Sequence, residues 1–164
     1  MLKSVCWRWL GIIVLVVFGA VSTPDLVWAA EIDPYVQRYL KASEPISLPL
    51  NQEGESRSFT ADDLSVGKRL FEENCKSCHV GGATLPNPLV SLSLEDLKGA
   101  TPPRNTIGAL VAFQREPLTY DGQDFGFGCR EVSERWLTAG ELENLAAFVL
   151  RAAEVAPGWG IERF

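Results

Sequence analysis

The sequence predicts a mainly α-helical domain with a small β-hairpin near its N-terminus. Two helical capping signals, at Thr60 and Thr138, are each followed by apolar residues at helical spacing. Residues 46–59 contain two short apolar runs on either side of a turn-forming segment, which favours a hairpin. The 164 residues contain no internal repeat, so we expect one small domain behind a leader segment.

The leader has the three parts of a secretory signal peptide. Lys3 and Arg8 precede an apolar run at residues 10–21, and Val27-Trp28-Ala29 resembles a cleavage site. A membrane span needs about 20 apolar residues, so this run is short for the alternative, an uncleaved anchor. We therefore interpret residues 1–29 as a signal peptide and expect export.

The mature chain, residues 30–164, is predicted to be a single domain with three parts. Residues 30–59 form an N-terminal extension, with a short helix or irregular segment before the hairpin; Pro49 confines its strand to an edge. Residues 60–153 form the core, and residues 154–164 form a C-terminal tail. Pro157 and Gly158 end the last helix, and we assign no structure to residues 159–164.

The first core helix is capped by Thr60 with Asp63 reaching back, and Gly67 leaves room for another helix to cross closely. Shorter helices are expected at residues 92–97 and 107–113, the latter stopped by Pro117. A Gly-rich loop at residues 120–128 follows and ends at Cys129. Thr138 and Glu141 then cap the last helix, which has a buried stripe of Leu142, Leu145, Ala146, Phe148 and Val149.

The first core helix leads into Cys75-Lys76-Ser77-Cys78-His79, the attachment signature of a c-type haem. Its two thiols can bond one porphyrin, and its imidazole can bind the iron from one side. We expect one covalently bound haem c, held by Cys75 and Cys78, with His79 as an axial ligand.

Two alternatives use the same residues. A thioredoxin-like dithiol would need a βαβ pattern, which is not visible. A Cys₃His zinc site would recruit Cys129, but the adjacent Cys78 and His79 would have to converge on one ion.

The second axial ligand is restricted by the residue inventory. The chain has one His and one Met, and Met1 would be lost with the leader together with Cys6. Water, no ligand, the N-terminal amine, or Lys68, Lys76, Lys98 and Tyr120 are chemically possible. We favour Cys129 as the distal ligand over its interpretation as a small buried hydrophobe, because it is the only soft donor left.

Removal of the leader would leave 13 basic and 20 acidic side chains, a net charge of −7. This balance disfavours nucleic acid as a partner and favours a basic redox protein.

Five irregular stretches carry a family resemblance. They are Leu-Pro-Leu-Asn at residues 48–51, Gly-Lys-Arg-Leu-Phe at residues 67–71, Cys-His-Val-Gly-Gly at residues 78–82, Ala-Thr-Pro-Pro-Arg at residues 100–104 and Thr-Tyr-Asp-Gly at residues 119–122. Through them the chain resembles the cytochrome c-550 family, the low-potential extrinsic cytochromes of photosystem II. The segment between Cys129 and the last helix is shorter than in the family, and the tail is abbreviated.

The resemblance implies a class I-type cytochrome c fold and a peripheral position on the lumenal side of the cyanobacterial thylakoid membrane, on the photosystem II surface. The family has a second axial His after its Tyr-Asp-Gly loop, where this chain has Cys129. We therefore expect a divergent paralogue that is an electron carrier and not an enzyme, with a low potential because thiolate favours ferric iron. The alternatives are a redox or gas sensor with a dissociable Cys129, and a structural accessory subunit of the photosystem.

Overall fold

The computed structural model describes residues 32–87 and 89–161, so the predicted signal peptide lies outside the described residues. The elements in chain order are α1 (Pro34–Arg38), β1 (Ile46–Pro49), β2 (Ser56–Phe59), α2 (Ala61–Asn74), a 3₁₀ turn (Val80–Gly82), α3 (Leu94–Gly99), α4 (Ile107–Arg115) and α5 (Ala139–Val155). Among the described helices, none has both the length and the apolar character to cross a membrane.

The N-terminal hairpin is present as predicted. β1 and β2 pair antiparallel, with Ile46 opposite Phe59 and Pro49 opposite Ser56. Leu48 and Phe59 are fully buried, so the hairpin covers one side of the core and exposes the other.

Both predicted capping boxes are present. In the first, the backbone N–H of Thr60 donates to Asp63 Oδ2 at 2.8 Å, and the N–H of Asp63 donates to Thr60 Oγ1 at 3.2 Å. In the second, Thr138 N–H donates to Glu141 Oε2 at 2.8 Å, and Glu141 N–H donates to Thr138 Oγ1 at 3.3 Å. Each box satisfies backbone donors that the helix itself leaves unpaired.

The centre of the fold is the crossing of α2 and α5. Gly67 is buried at the contact, where an added Cβ would meet the carbonyl oxygen of Asn144 at 2.0 Å. One turn later, the rings of Phe71 and Phe148 lie with their centroids 5.4 Å apart. The close helix crossing predicted from Gly67 is therefore confirmed.

The two short helices differ from the prediction at their ends. α3 begins at Leu94, because Ser93 is its N-cap and accepts from Asp96 N–H at 3.1 Å. α4 continues two residues beyond the predicted end to Arg115. Pro117 disfavours helical backbone only at the residue before it, and Glu116 is the residue that leaves the helix, with φ −138° and ψ 82°.

Candidate haem site

The Cys75–His79 segment continues the end of α2 as a series of turns. Cys75 caps the helix, and its N–H donates to Phe71 O at 2.8 Å. The N–H groups of Cys78 and His79 then donate to Cys75 O at 3.1 Å and 3.0 Å. Cys75 packs against the hydrophobic core, while Cys78 and His79 line an adjacent cleft. α2 therefore fixes where this segment begins.

The imidazole of His79 is held by a neighbouring hydroxyl. Thr84 Oγ1 lies 3.1 Å from His79 Nδ1. In the tautomer protonated at Nδ1, this nitrogen donates to Thr84, and Nε2 keeps its lone pair for a metal. An outer hydrogen bond of this kind orients a ligating imidazole. Sequence reasoning did not identify Thr84, because a hydroxyl five residues after a histidine has no specific pattern.

The cleft beside His79 has a volume of about 350 Å³. Its lining is largely apolar and includes Leu92, Leu97, Ala100, Phe113 and Leu118. Cys78, His79 and Cys129 line the same cleft, so three of the four predicted site residues meet there. An apolar cleft bordered by thiols and one imidazole is suited to a porphyrin, whose ring is apolar and whose iron takes N and S ligands.

Neither alternative to haem is supported by the described residues. No three His, Cys, Asp or Glu side chains within residues 32–87 and 89–161 converge closely enough to hold a metal ion, which disfavours the zinc site. The sheet in this part of the chain has two antiparallel strands, unlike the βαβ pattern that a thioredoxin-like dithiol would require.

Cys129 lies in the loop between α4 and α5, residues 117–137, which we call the ligand loop. The loop begins as a small hairpin, with Thr119 N–H donating to Asp124 O at 2.8 Å and Gly126 N–H donating to Pro117 O at 2.8 Å. The chain then turns, and Cys129 N–H donates to Gly126 O at 3.4 Å. This fold-back explains how a residue 50 positions after His79 reaches the same cleft.

Burial is the main cause of the pKa shifts of Cys75, His79 and Cys129. It raises the pKa of Cys75 to about 12, and negative charge at Cys129 and Cys78 adds to this effect. It also raises the pKa of Cys129, while the positive charge of Arg104 opposes the rise. Burial lowers the pKa of His79. In the chain alone, the imidazole of His79 is thus neutral and the thiols of Cys75 and Cys129 are protonated near pH 7, so a metal that binds Cys129 must displace its proton.

The C-terminal segment packs beside the site, although no local pattern predicted a structure for it. Trp159 Nε1 donates to Leu92 O at 2.9 Å, and its ring lies 5.4 Å from Phe71 and 5.7 Å from Phe148 between centroids. A Cβ on Gly82 would lie 2.7 Å from this indole. Trp159 therefore covers the turn that follows His79.

Comparison with known proteins identifies the family. The cytochrome c-550 domain matches residues 38–164. The chain belongs to the cytochrome c-550 family. It is 59% identical over 162 residues to the cytochrome c-550-like protein of Thermosynechococcus vestitus, with 99% of this chain and 93% of the relative covered. It is 44% identical over 155 residues to the photosystem II extrinsic protein V of Gloeobacter violaceus, covering 94% and 84%.

The fold agrees with this family. The crystal structure of the PsbV2 cytochrome of Thermosynechococcus elongatus is similar with a TM-score of 0.78 and 67% identity, over 79% of this chain and 99% of that chain. The predicted class I cytochrome c fold is confirmed. Proteins of the cytochrome c-550 family are c-type cytochromes, which hold haem covalently, and the donor set in the cleft suits that group.

Proposed function

We propose that the protein is a low-potential, mono-haem electron carrier with His/Cys axial ligation. Cys75 and Cys78 would hold the haem through thioether bonds, with His79 as the proximal ligand and Cys129 as the distal ligand. The haem supplies the one-electron couple when bound. The residues of the chain would fix the position of the haem, limit the access of water to it and favour the ferric state.

The observation that carries this proposal is that His79 and Cys129 line one apolar cleft. The chain has no other His, and its one Met is the first residue. A thiolate gives electron density and negative charge to the iron, and both stabilise the ferric state. The hydrogen bond between Thr84 and His79 Nδ1 would keep the imidazole in one orientation as the other ligand.

We further propose that the protein is exported and acts at the lumenal side of the thylakoid membrane, peripheral to photosystem II. Support comes from the leader sequence and from relatives with the name photosystem II extrinsic protein V. The acidic mature chain favours a partner surface rich in Lys and Arg. We interpret residues 30–164 as the mature domain.

Low-temperature electron paramagnetic resonance of the ferric holoprotein tests the ligation. We expect a low-spin signal with the g-anisotropy of imidazole/thiolate haem, and conversion to high spin in Cys129→Ala. Ser133→Ala, a change in the ligand loop away from the cleft, is the control and should keep the wild-type signal. A low-spin signal unchanged in Cys129→Ala would overturn the role of Cys129.

A second candidate, a haem-based redox or gas sensor, is favoured by the bonding of the ligand loop. Among the described residues, residues 121–131 make hydrogen bonds only within the ligand loop. Cys129 can therefore move without breaking a hydrogen bond to any described helix. Rapid CO binding by the ferrous holoprotein would favour the sensor, whereas reversible reduction with slow CO binding would favour the carrier.

A further inference from the structure

One buried arginine, Arg104, and one half-buried arginine, Arg115, bind the ligand loop from opposite ends of α4. Arg104 precedes the helix, and its Nη2 donates to Leu118 O at 3.0 Å and Thr119 O at 2.7 Å. Arg115 is the last residue of the helix; its Nη1 donates to Val132 O at 2.6 Å and its Nη2 to Leu137 O at 3.0 Å. One arginine thus binds the loop before Cys129, and the other binds it after Cys129.

Within the described residues, these four bonds are the side-chain hydrogen bonds that join the ligand loop to the rest of the chain. Two backbone bonds accompany them: Thr101 N–H donates to Tyr120 O at 2.8 Å, and Val132 N–H donates to Gln114 O at 2.9 Å. The eleven residues from 121 to 131 lie between these attachment points. The position of Cys129 therefore depends on where the two ends of the loop are fixed.

Arg104 is itself held in place. The residue is only 9% exposed, its N–H donates to Leu97 O at 2.7 Å, and its guanidinium lies 4.0 Å from the ring centroid of Phe113. No carboxylate within the described residues lies at ion-pair distance from Arg104 or Arg115. Both guanidinium groups are therefore committed to backbone carbonyls, where a charged donor makes a stronger bond than a neutral one.

We propose that Arg104 and Arg115, the arginine clamp, are positioning residues for the axial ligand Cys129. The clamp keeps the two ends of the ligand loop against α4, so that Cys129 stays at the cleft. This inference rests on the proposed ligation by Cys129. Arg104 also lines the cleft, whereas Arg115 does not, so the effect of Arg115→Gln on the spin state separates positioning from a direct effect of charge at the cleft.

The test uses the holoprotein with Arg104→Gln and Arg115→Gln, and Arg151→Gln as a matched control. Arg151 Nε also donates to a backbone carbonyl, Leu40 O at 3.0 Å, but outside the ligand loop. Amide hydrogen exchange of the 118–132 peptides should rise by about tenfold or more in each clamp variant, as expected for loss of a charged hydrogen bond. The control should leave these peptides unchanged.

The second readout is the ferric spin state, which a general loss of stability does not change while the protein is folded. We expect a larger high-spin share in both clamp variants and faster CO binding after reduction, with partial recovery in Arg104→Lys and Arg115→Lys. The lysine variants also keep the test decisive if a glutamine variant does not fold.

The outcomes separate the two proposals. A wild-type ferric signal without thiolate character overturns the proposed function, and with it the ligand that the clamp would position. A thiolate signal in the wild type, with loop exchange and spin state in the clamp variants equal to those of Arg151→Gln, overturns the arginine clamp alone.

Discussion

Gly67 and Asn144 are in backbone contact where α2 crosses α5, since a Cβ at Gly67 would lie 2.0 Å from the Asn144 carbonyl oxygen. The absence of a side chain at this position lets the two helices approach closely. The crossing also sets the direction in which α2 leads into the Cys75–His79 segment. Packing between the two helices therefore contributes to the geometry of the candidate site.

Gly67→Ala should lower the free energy of unfolding by about 2 kcal/mol, because the cost of overpacking exceeds the roughly 1 kcal/mol gain in helix propensity. Gly140→Ala is the control, since an added Cβ there meets nothing within 4 Å. We expect it to be neutral or stabilising. Urea unfolding of the two holoproteins measures the difference, and equal midpoints would contradict the tight crossing.

Asp33 should make stability depend on pH at the start of the domain. Burial alone raises the pKa of Asp33, but the hydrogen bonds from Lys68 and from the Tyr35 N–H outweigh it and hold the pKa below its ordinary value. A carboxyl whose folded pKa is lowered contributes stability above its unfolded pKa and loses it as pH falls through the folded pKa. Its contribution is therefore present at pH 7 and lost in acid.

Asp33→Asn removes the negative charge but keeps the N-cap hydrogen bond, because Asn caps a helix as well as Asp does. It should cost about 0.5–1 kcal/mol at pH 7, through loss of the 2.9 Å ion pair with Lys68, and almost nothing once the pH is below the lowered folded pKa of Asp33. Asp33→Ala should cost about 1 kcal/mol more at both pH values. Thermal unfolding across pH measures both effects; a pH-independent cost of Asp33→Asn would refute the ion-pair contribution.

Cys129→His should raise the reduction potential. The substitution replaces a proposed thiolate ligand with neutral imidazole, which stabilises ferric iron less strongly. The ferric signal should stay low-spin but change to the g-anisotropy of two imidazoles. Potentiometric titration of wild type and variant tests this, and a variant potential equal to or below that of the wild type would contradict thiolate ligation in the parent.

Trp159→Phe should cost about 1 kcal/mol, because it keeps an aromatic ring but loses the 2.9 Å hydrogen bond to Leu92 O. Trp159→Ala should cost about 2–3 kcal/mol, since the contacts with Phe71 and Phe148 are lost as well. Chemical denaturation of the holoprotein ranks the two variants. Equal costs would show that the ring contacts contribute little.

The parts of the fold that were predicted depend on local signals. The Thr60 and Thr138 capping boxes each involve residues three positions apart, and the hairpin is marked by a turn between two apolar runs. The chemistry at the Cys75–His79 segment also has a contiguous pattern. The assignment of these residues and of Cys129 to the haem stays a prediction, although three of them line one cleft.

The parts that were missed depend on long-range contacts. Arg104 and Arg115 bind backbone carbonyls, which every residue has, so no residue type marks their partners. Trp159 packs on residues more than ten positions away in sequence, and the six residues from 159 to 164 have too little periodicity to predict an orientation. Such contacts are specified by the folded chain and not by local sequence.

The self-contained bonding of residues 121–131 has a consequence for how this scaffold can change. Helix α2 fixes where the Cys75–His79 segment begins, whereas position 129 belongs to a segment whose hydrogen bonds all lie within the ligand loop. Under the proposed ligation, exchanging the side chain at position 129 would change the donor set of the iron and leave the α2–α5 framework intact. In such an arrangement the reduction potential can change while the stability of the fold stays the same.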